Sequence, residues 1–126
     1  MVARLQRRTH FNHLRAHGTT VREGRLRITC APPDPEQEPE GPGVAFAIPR
    51  SFGPAVRRNR ARRRLRAIIS DQERSGNLPQ GWFLVNVLPC STEPDHRQLQ
   101  AWFNSAVAQL NSRAATAAVK PSSETP

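Results

Sequence analysis

A chain of 126 residues accommodates one compact domain with a single modest core and leaves no room for a second large one. Nineteen basic residues against ten acidic ones give a net charge of +9 and a pI near 11.6, a surface that repels itself unless a polyanion neutralises it. Nucleic acid or an anionic membrane surface is the expected partner, and a membrane span is excluded because no apolar run approaches the ~18 residues that crossing a bilayer requires.

In chain order, residues 1–8 are basic and expected to fray, and MVARLQRR lacks the apolar stretch of a secretory leader, so the protein is expected in the cytoplasm. Thr9 suits the N-cap of a short helix from His10 to His17, stopped by Gly18. TTVREGRLRITC (19–30) alternates, with Leu26, Ile28 and Cys30 on one side and Arg25, Arg27 and Thr29 on the other. This predicts a half-buried strand preceded by a shorter one. The five prolines of APPDPEQEPEGPG (31–43) rule out a ladder, so the segment is a surface loop, and its four acids are expected to keep it away from RNA. VAFAIP (44–49) reads as a short buried strand. Gly53-Pro54 opens a long helix ending at Ser75-Gly76-Asn77, and WFLVNVLP (82–89) has the composition of a central strand. Asp95 to about Arg113 is an amphipathic helix with Leu99, Trp102, Phe103, Ala106, Val107 and Leu110 on one face. A domain over 1–113 and a disordered tail over 114–126 follow. The order α-β-β-β-α-β-α predicts an α+β fold, a two-layer α/β sandwich with helices on a mostly antiparallel sheet.

The segment RSFGPAVRRNRARRRLRAII (50–69) concentrates the charge. On a helical wheel Ala61, Leu65, Ile68 and Ile69 fall in one wedge of roughly 100°, which packs on the sheet. Asn59, Arg60, Arg63, Arg64 and Arg66 cover the remaining surface, with Arg62 on the shoulder. A solvated charged face normally mixes signs in i,i+4 pairs, yet residues 41–70 contain no Asp or Glu. The arginines therefore repel one another, and compensation is expected from outside the domain. Arginine forks onto phosphate and stacks on bases, and all the basic residues but Lys120 are arginine, which suits structured RNA. A DNA-recognition helix would present varied side chains to base edges, which this one does not. Asn59 is unexpected in a purely electrostatic rod; an amide there can orient neighbours or bond a specific RNA group.

Gly53-Pro54-Ala55-Val56 followed by Arg58-Asn59-Arg60, Arg62-Arg63 and Leu65-Arg66 resembles the RNR signature of the bacterial ribonuclease P protein component family. Upstream, Phe11, Leu14, His17, Gly18 and Val21 are similar to that family's opening helix and turn, and the resemblance covers roughly residues 4–112. It implies a ribosomal-protein-S5-domain-2-like fold with a left-handed βαβ crossover. It also implies an accessory subunit of a ribonucleoprotein endoribonuclease that removes the 5′ leader of precursor tRNA. In that enzyme the RNA subunit carries the Mg²⁺-dependent chemistry, and the protein supplies no catalytic residue, binds no metal or cofactor stably and serves as a monomer. By the resemblance Arg57, Arg58, Asn59, Arg60, Arg62, Arg63 and Arg66 bind the ribonuclease P RNA. Phe11, Arg15, Phe46 and Arg50 line the cleft for the leader. The sequence departs from the family at Arg50-Ser51, where a lysine pair is usual, at Pro49, and at Arg15 and Thr29, where some members carry aromatics. The chain has no tyrosine, and stacking contributes roughly 1–3 kcal/mol per base, so leader contacts are expected to lean on guanidinium and phosphate.

Other residues carry weaker signals. His10, His13 and His17 share a rough helix face, but no Cys or acid nearby completes a zinc site, and solvated or phosphate-facing imidazoles are the favoured reading. Cys30 and Cys90, far apart in apolar settings without a CxxC, are expected to be reduced and partly buried. Trp82 and Trp102 are expected in the core or at its rim, and Asp71 and Glu73, unfavourably placed at the C-terminal end of their helix, have no role beyond pairing with Arg74. A ribosomal or other structural RNA-binding protein is the competing reading.

Overall fold

The computed structural model describes residues 2–123, with side-chain surroundings for residues 2–113. The elements are β1 (Ala3–Arg4), α1 (Arg8–His17), β2 (Thr19–Glu23), β3 (Leu26–Ala31), β4 (Gly43–Ala47), a 3₁₀ turn (Arg50–Phe52), α2 (Ala55–Arg74), β5 (Trp82–Val87) and α3 (His96–Ser123). They form one five-stranded sheet in the order β1-β4-β5-β3-β2. The sheet is mixed: β2/β3 and β3/β5 are antiparallel, while β1/β4 and β4/β5 are parallel. The two antiparallel ladders carry most of the residue pairs, in keeping with the expected mostly antiparallel sheet. The parallel β4/β5 pair requires a crossover connection, and α2 provides it.

Alternation along each strand sorts the core onto two faces. Leu26 and Ile28 of β3, Val44 of β4, and Phe83, Val85 and Val87 of β5 face α2 and α3. Ala31, Ala45 and Trp82 point the other way, where Leu14 of α1 and Leu5 join them. The helix pair α2/α3 is therefore one layer, and α1 covers one end of the opposite face. Strand β5 is buried on both faces, which its continuous apolar run foretold. Trp82 is fully buried and donates from Nε1 to the Pro39 carbonyl at 3.1 Å.

The turns obey local chemistry. Glu23 pairs with Leu26, leaving Gly24-Arg25 as a two-residue hairpin loop with Gly24 at φ +56°. A Cβ on Gly24 would also lie 2.2 Å from the Trp102 indole, so the position needs glycine twice over. Helix α2 starts after Pro54 and closes in a Schellman motif. There Gly76, at φ +75°, donates to the Glu73 carbonyl and Asn77 to that of Gln72, both at 3.0 Å. Helix α3 opens with a reciprocal capping box: Gln98 N–H donates to Asp95 Oδ1 at 2.8 Å, and Asp95 N–H to Gln98 Oε1 at 3.2 Å.

Three boundary expectations change. Residues 3–4 form β1, because Ala3 N–H and Leu5 N–H reach the carbonyls of Pro42 and Val44 at 3.0 and 2.9 Å and Leu5 is buried. Helix α1 begins at Arg8 rather than after Thr9; His10 Nδ1 accepts the N–H of Arg7 at 3.2 Å, and the Thr9 hydroxyl instead donates to Gln37 Oε1 at 2.6 Å. Helix α3 continues to Ser123, ten residues past the expected end, with four alanines between residues 114 and 118 that favour the helical state. The last three residues of the expected tail, 124–126, lie outside the described residues.

Candidate nucleic-acid interface

Helix α2 buries Ala61, Leu65, Ile68 and Ile69, the wedge its sequence specifies. At 100° per residue, the arginines on either side of that wedge fall into two flanks, and tertiary contacts treat them oppositely. On the flank towards the β5–α3 loop, Arg57, Arg60 and Arg64 converge on one carboxylate. Arg60 Nε lies 2.8 Å from Glu93 Oε2 as a charge contact, and Arg57 Nε lies 3.8 Å from Oε1. Arg64 Nη1 donates to Glu93 Oε2 at 3.2 Å and to the Pro94 carbonyl at 3.0 Å. Arg57 Nη2 also donates to the Cys90 carbonyl at 3.1 Å, with the guanidinium 5.0 Å from the centre of the Phe52 ring. The expectation that nothing within the domain compensates the helix is thus corrected. Glu93 is nearly thirty residues beyond Arg64, out of reach of any i,i+4 inspection.

The other flank is open. Asn59, Arg62, Arg63 and Arg66 line a groove of about 650 Å³ whose opposite wall is Arg4, Leu5 and Phe11 and whose floor is Val44, Ala45 and Phe46 of β4. Asn59 Oδ1 accepts a hydrogen bond from Arg62 Nη1 at 2.7 Å, so the amide orients a guanidinium. Arg66 lies 5.7 Å from the centre of the Phe46 ring. Among the described residues no carboxylate pairs with Arg4, Arg62, Arg63 or Arg66. Cations around an aromatic floor suit a chain of phosphates carrying stackable bases. Arg58 stands apart from both sets, with Nε donating to the Gly53 carbonyl at 3.2 Å, which ties it to the turn before α2.

Of the residues expected to line a leader cleft, Phe11 and Phe46 meet in this groove. Phe11 also borders a shallower depression with Gln6, Arg8, Asn12 and Arg15, so Arg15 adjoins the groove through Phe11. Arg50 is exposed in the 3₁₀ turn and lines neither hollow. Arg4 and Leu5 are wall residues that the sequence reading missed. Their only signal was one leucine in a basic stretch, and their position follows from β1 pairing with β4.

Of the histidines of α1, His17 is exposed as expected, whereas His10 and His13 are not solvated or phosphate-facing. His10 is buried; its Nδ1 accepts the N–H groups of Gln6 and Arg7, and its Nε2 donates to the Glu38 carbonyl at 2.8 Å. That pattern fixes the neutral tautomer with the proton on Nε2. His13 Nε2 donates to the Pro32 carbonyl at 2.7 Å, and both rings meet the Trp82 edge. These contacts moor the acidic loop to α1. Among the described residues no group of three or more His, Cys, Asp or Glu side chains could hold a metal ion. Cys30 and Cys90 are free thiols, and burial pushes Cys30 up to about 11, which leaves it protonated and unreactive. Asp71 does pair with Arg74. No helix of the described residues is long and apolar enough to cross a membrane.

The model of the family described as Ribonuclease P matches residues 2–111. The ribonuclease P protein component of Thermobifida fusca is 35% identical over 111 residues, covering 82% of this chain and 73% of its own. That of Beutenbergia cavernae is 30% identical over 111 residues, covering 88% and 90%. Among solved structures, the RNase P protein of Staphylococcus aureus superposes with a TM-score of 0.73 at 14% identity, covering 87% of this chain and 96% of that one. The protein from Thermotoga maritima gives 0.64 at 20% identity, covering 84% and 96%. The fold, the Arg58-Asn59-Arg60 block on α2 and the sequence relatives agree: this chain belongs to the ribonuclease P protein component family.

Proposed function

We propose that this chain is the RNA-binding protein subunit of ribonuclease P. On this reading it grips the ribonuclease P RNA along the open flank of α2 and receives the 5′ leader of precursor tRNA at the Phe11 end of the same groove. The carrying observation is that groove, in which the guanidiniums of Arg62, Arg63 and Arg66, with no carboxylate partner among the described residues, surround Phe11 and Phe46. Each phosphate that takes one of these arginines releases condensed counterions, giving strong, salt-sensitive association. Asn59 holds Arg62 in place for such a contact.

The bond-breaking groups belong to the RNA partner on this reading. Among the described residues the groove lining carries cations, apolar side chains and one amide, with no carboxylate, hydroxyl or imidazole to move a proton or hold Mg²⁺. Mg²⁺ is then bound by the RNA, and the protein contributes charge neutralisation and leader positioning, acting as a monomer in the cytoplasm.

The test is reconstitution with a bacterial ribonuclease P RNA at low Mg²⁺, following cleavage of a precursor tRNA. The protein should stimulate cleavage over RNA alone, and Phe11→Ala should weaken binding of precursor tRNA more than of mature tRNA. No stimulation would favour the structural RNA-binding reading. Equal effects of Phe11→Ala on both tRNAs would remove the leader from this groove.

A further inference from the structure

One carboxylate facing three arginines is an unusual distribution in a chain that has almost twice as many cations as anions. Glu93 is not a passing surface acid. Its side chain is 23% exposed, and those of Arg57, Arg64 and Arg60 are 21%, 30% and 42% exposed, so the contact is partly shielded from solvent. The backbone fixes it from both sides: the Cys90 carbonyl is tied to Arg57, Pro94 is buried with its carbonyl on Arg64, and Asp95 begins the capping box of α3. A carboxylate presents two oxygens to guanidinium forks much as a phosphodiester presents its two non-bridging oxygens. Tethered in place, Glu93 competes at a far higher effective concentration than a phosphate arriving from solution.

We propose that Glu93 is a positioning residue that stands where a phosphate would stand, withholds Arg57, Arg60 and Arg64 from RNA, and confines the RNA-gripping charge of α2 to its Asn59–Arg62–Arg63–Arg66 flank. The inference rests on the RNA-binding reading above. It adds a rule for specificity: without Glu93 the helix offers phosphate contacts around most of its circumference and grips any polyanion. With it, only RNA presented to the groove side meets free guanidinium. Arg57 and Arg60, which the resemblance assigns to RNA, thus serve the alignment of the helix and the β5–α3 loop.

The test measures affinity of the full chain for an unstructured oligoadenylate and for a ribonuclease P RNA across a salt series. Glu93→Gln should bind oligoadenylate more tightly, and its log–log salt slope should steepen by about 0.7 per guanidinium released, towards about 2 for all three. The preference for ribonuclease P RNA over oligoadenylate should shrink. A slope and preference equal to wild type in a folded Glu93→Gln protein overturn the proposal and leave Glu93 merely structural. Should Glu93→Gln not fold, the wild-type background decides. Arg64→Gln should leave the slope unchanged, whereas Arg63→Gln should reduce it by about 0.7; equal reductions overturn the proposal. Wild type that binds neither RNA at low salt fails the RNA-binding reading itself, and the role of Glu93 falls with it.

Discussion

The two flanks of α2 have nearly the same composition and opposite fates. Arg57, Arg60 and Arg64 end on Glu93 and the carbonyls of Cys90 and Pro94, while Arg62, Arg63 and Arg66 end in an open groove with only Asn59 and Phe46 for company. Charge density along a sequence therefore says that a helix is cationic without saying where its charge is available. Availability is set by what the next loops bring alongside. Strand β4 ends the sheet on one side of α2 except for the two residues of β1, leaving room for a ligand. On the other side the loop into α3 closes over the helix and delivers its acid.

The broadest way to break this comparison is to remove the footing both flanks share. Leu65 is fully buried among Ile68, Ile69 and the β5 side chains, and Leu65→Ala should destabilise the domain by about 2–5 kcal/mol. Chemical denaturation reads the loss directly; a change below about 1 kcal/mol would mean that α2 is not seated on this wedge. A narrower break targets the open flank alone. The double variant Arg63→Gln/Arg66→Gln should keep wild-type stability yet flatten the salt slope of RNA binding by about 1.4, since two single-strand phosphate contacts disappear. An unchanged slope with a folded protein would show that the groove is not where RNA binds.

Much of this architecture was legible because it rests on local rules. The wedge of Ala61, Leu65, Ile68 and Ile69, the stop at Ser75-Gly76-Asn77, the start of α3 at Asp95 and the doubly buried β5 all follow from period, caps and composition. Contacts between segments distant in sequence were not legible. Strand β1 is two residues long and exists because β4 offers it carbonyls. His10 and His13 of α1 looked like free imidazoles because their acceptors, the Glu38 and Pro32 carbonyls, belong to a loop with no periodicity at all. The site divided in the same way. The resemblance named Asn59, Arg62, Arg63 and Arg66 for the RNA and Phe11 and Phe46 for the leader without showing that both sets line one groove, and the pairing of Arg57 and Arg60 with Glu93 depends on the course of the chain after β5.

The acidic loop between β3 and β4 gives the smallest and sharpest test, because it holds four acids that could in principle also mask the helix. It is moored to α1 through Thr9, His10 and His13, on the far side of the sheet from the core face of α2. Asp34 is held below the usual carboxylate range, first by the hydrogen bond from the Gln37 side chain, then by the Glu36 N–H, with His13 and His17 adding charge. A depressed folded-state value contributes stability above the unfolded value of about 3.9, and that stability is lost as pH falls through the folded value. The Glu36 amide resonance should therefore report an intact loop through the neutral range and loosen only below about pH 4. In Asp34→Asn that acid transition should vanish. At neutral pH the same variant should leave the RNA salt slope at its wild-type value, in contrast to Glu93→Gln. A steeper slope in Asp34→Asn would make the loop a second internal counter-charge and end the view that one carboxylate alone divides the helix.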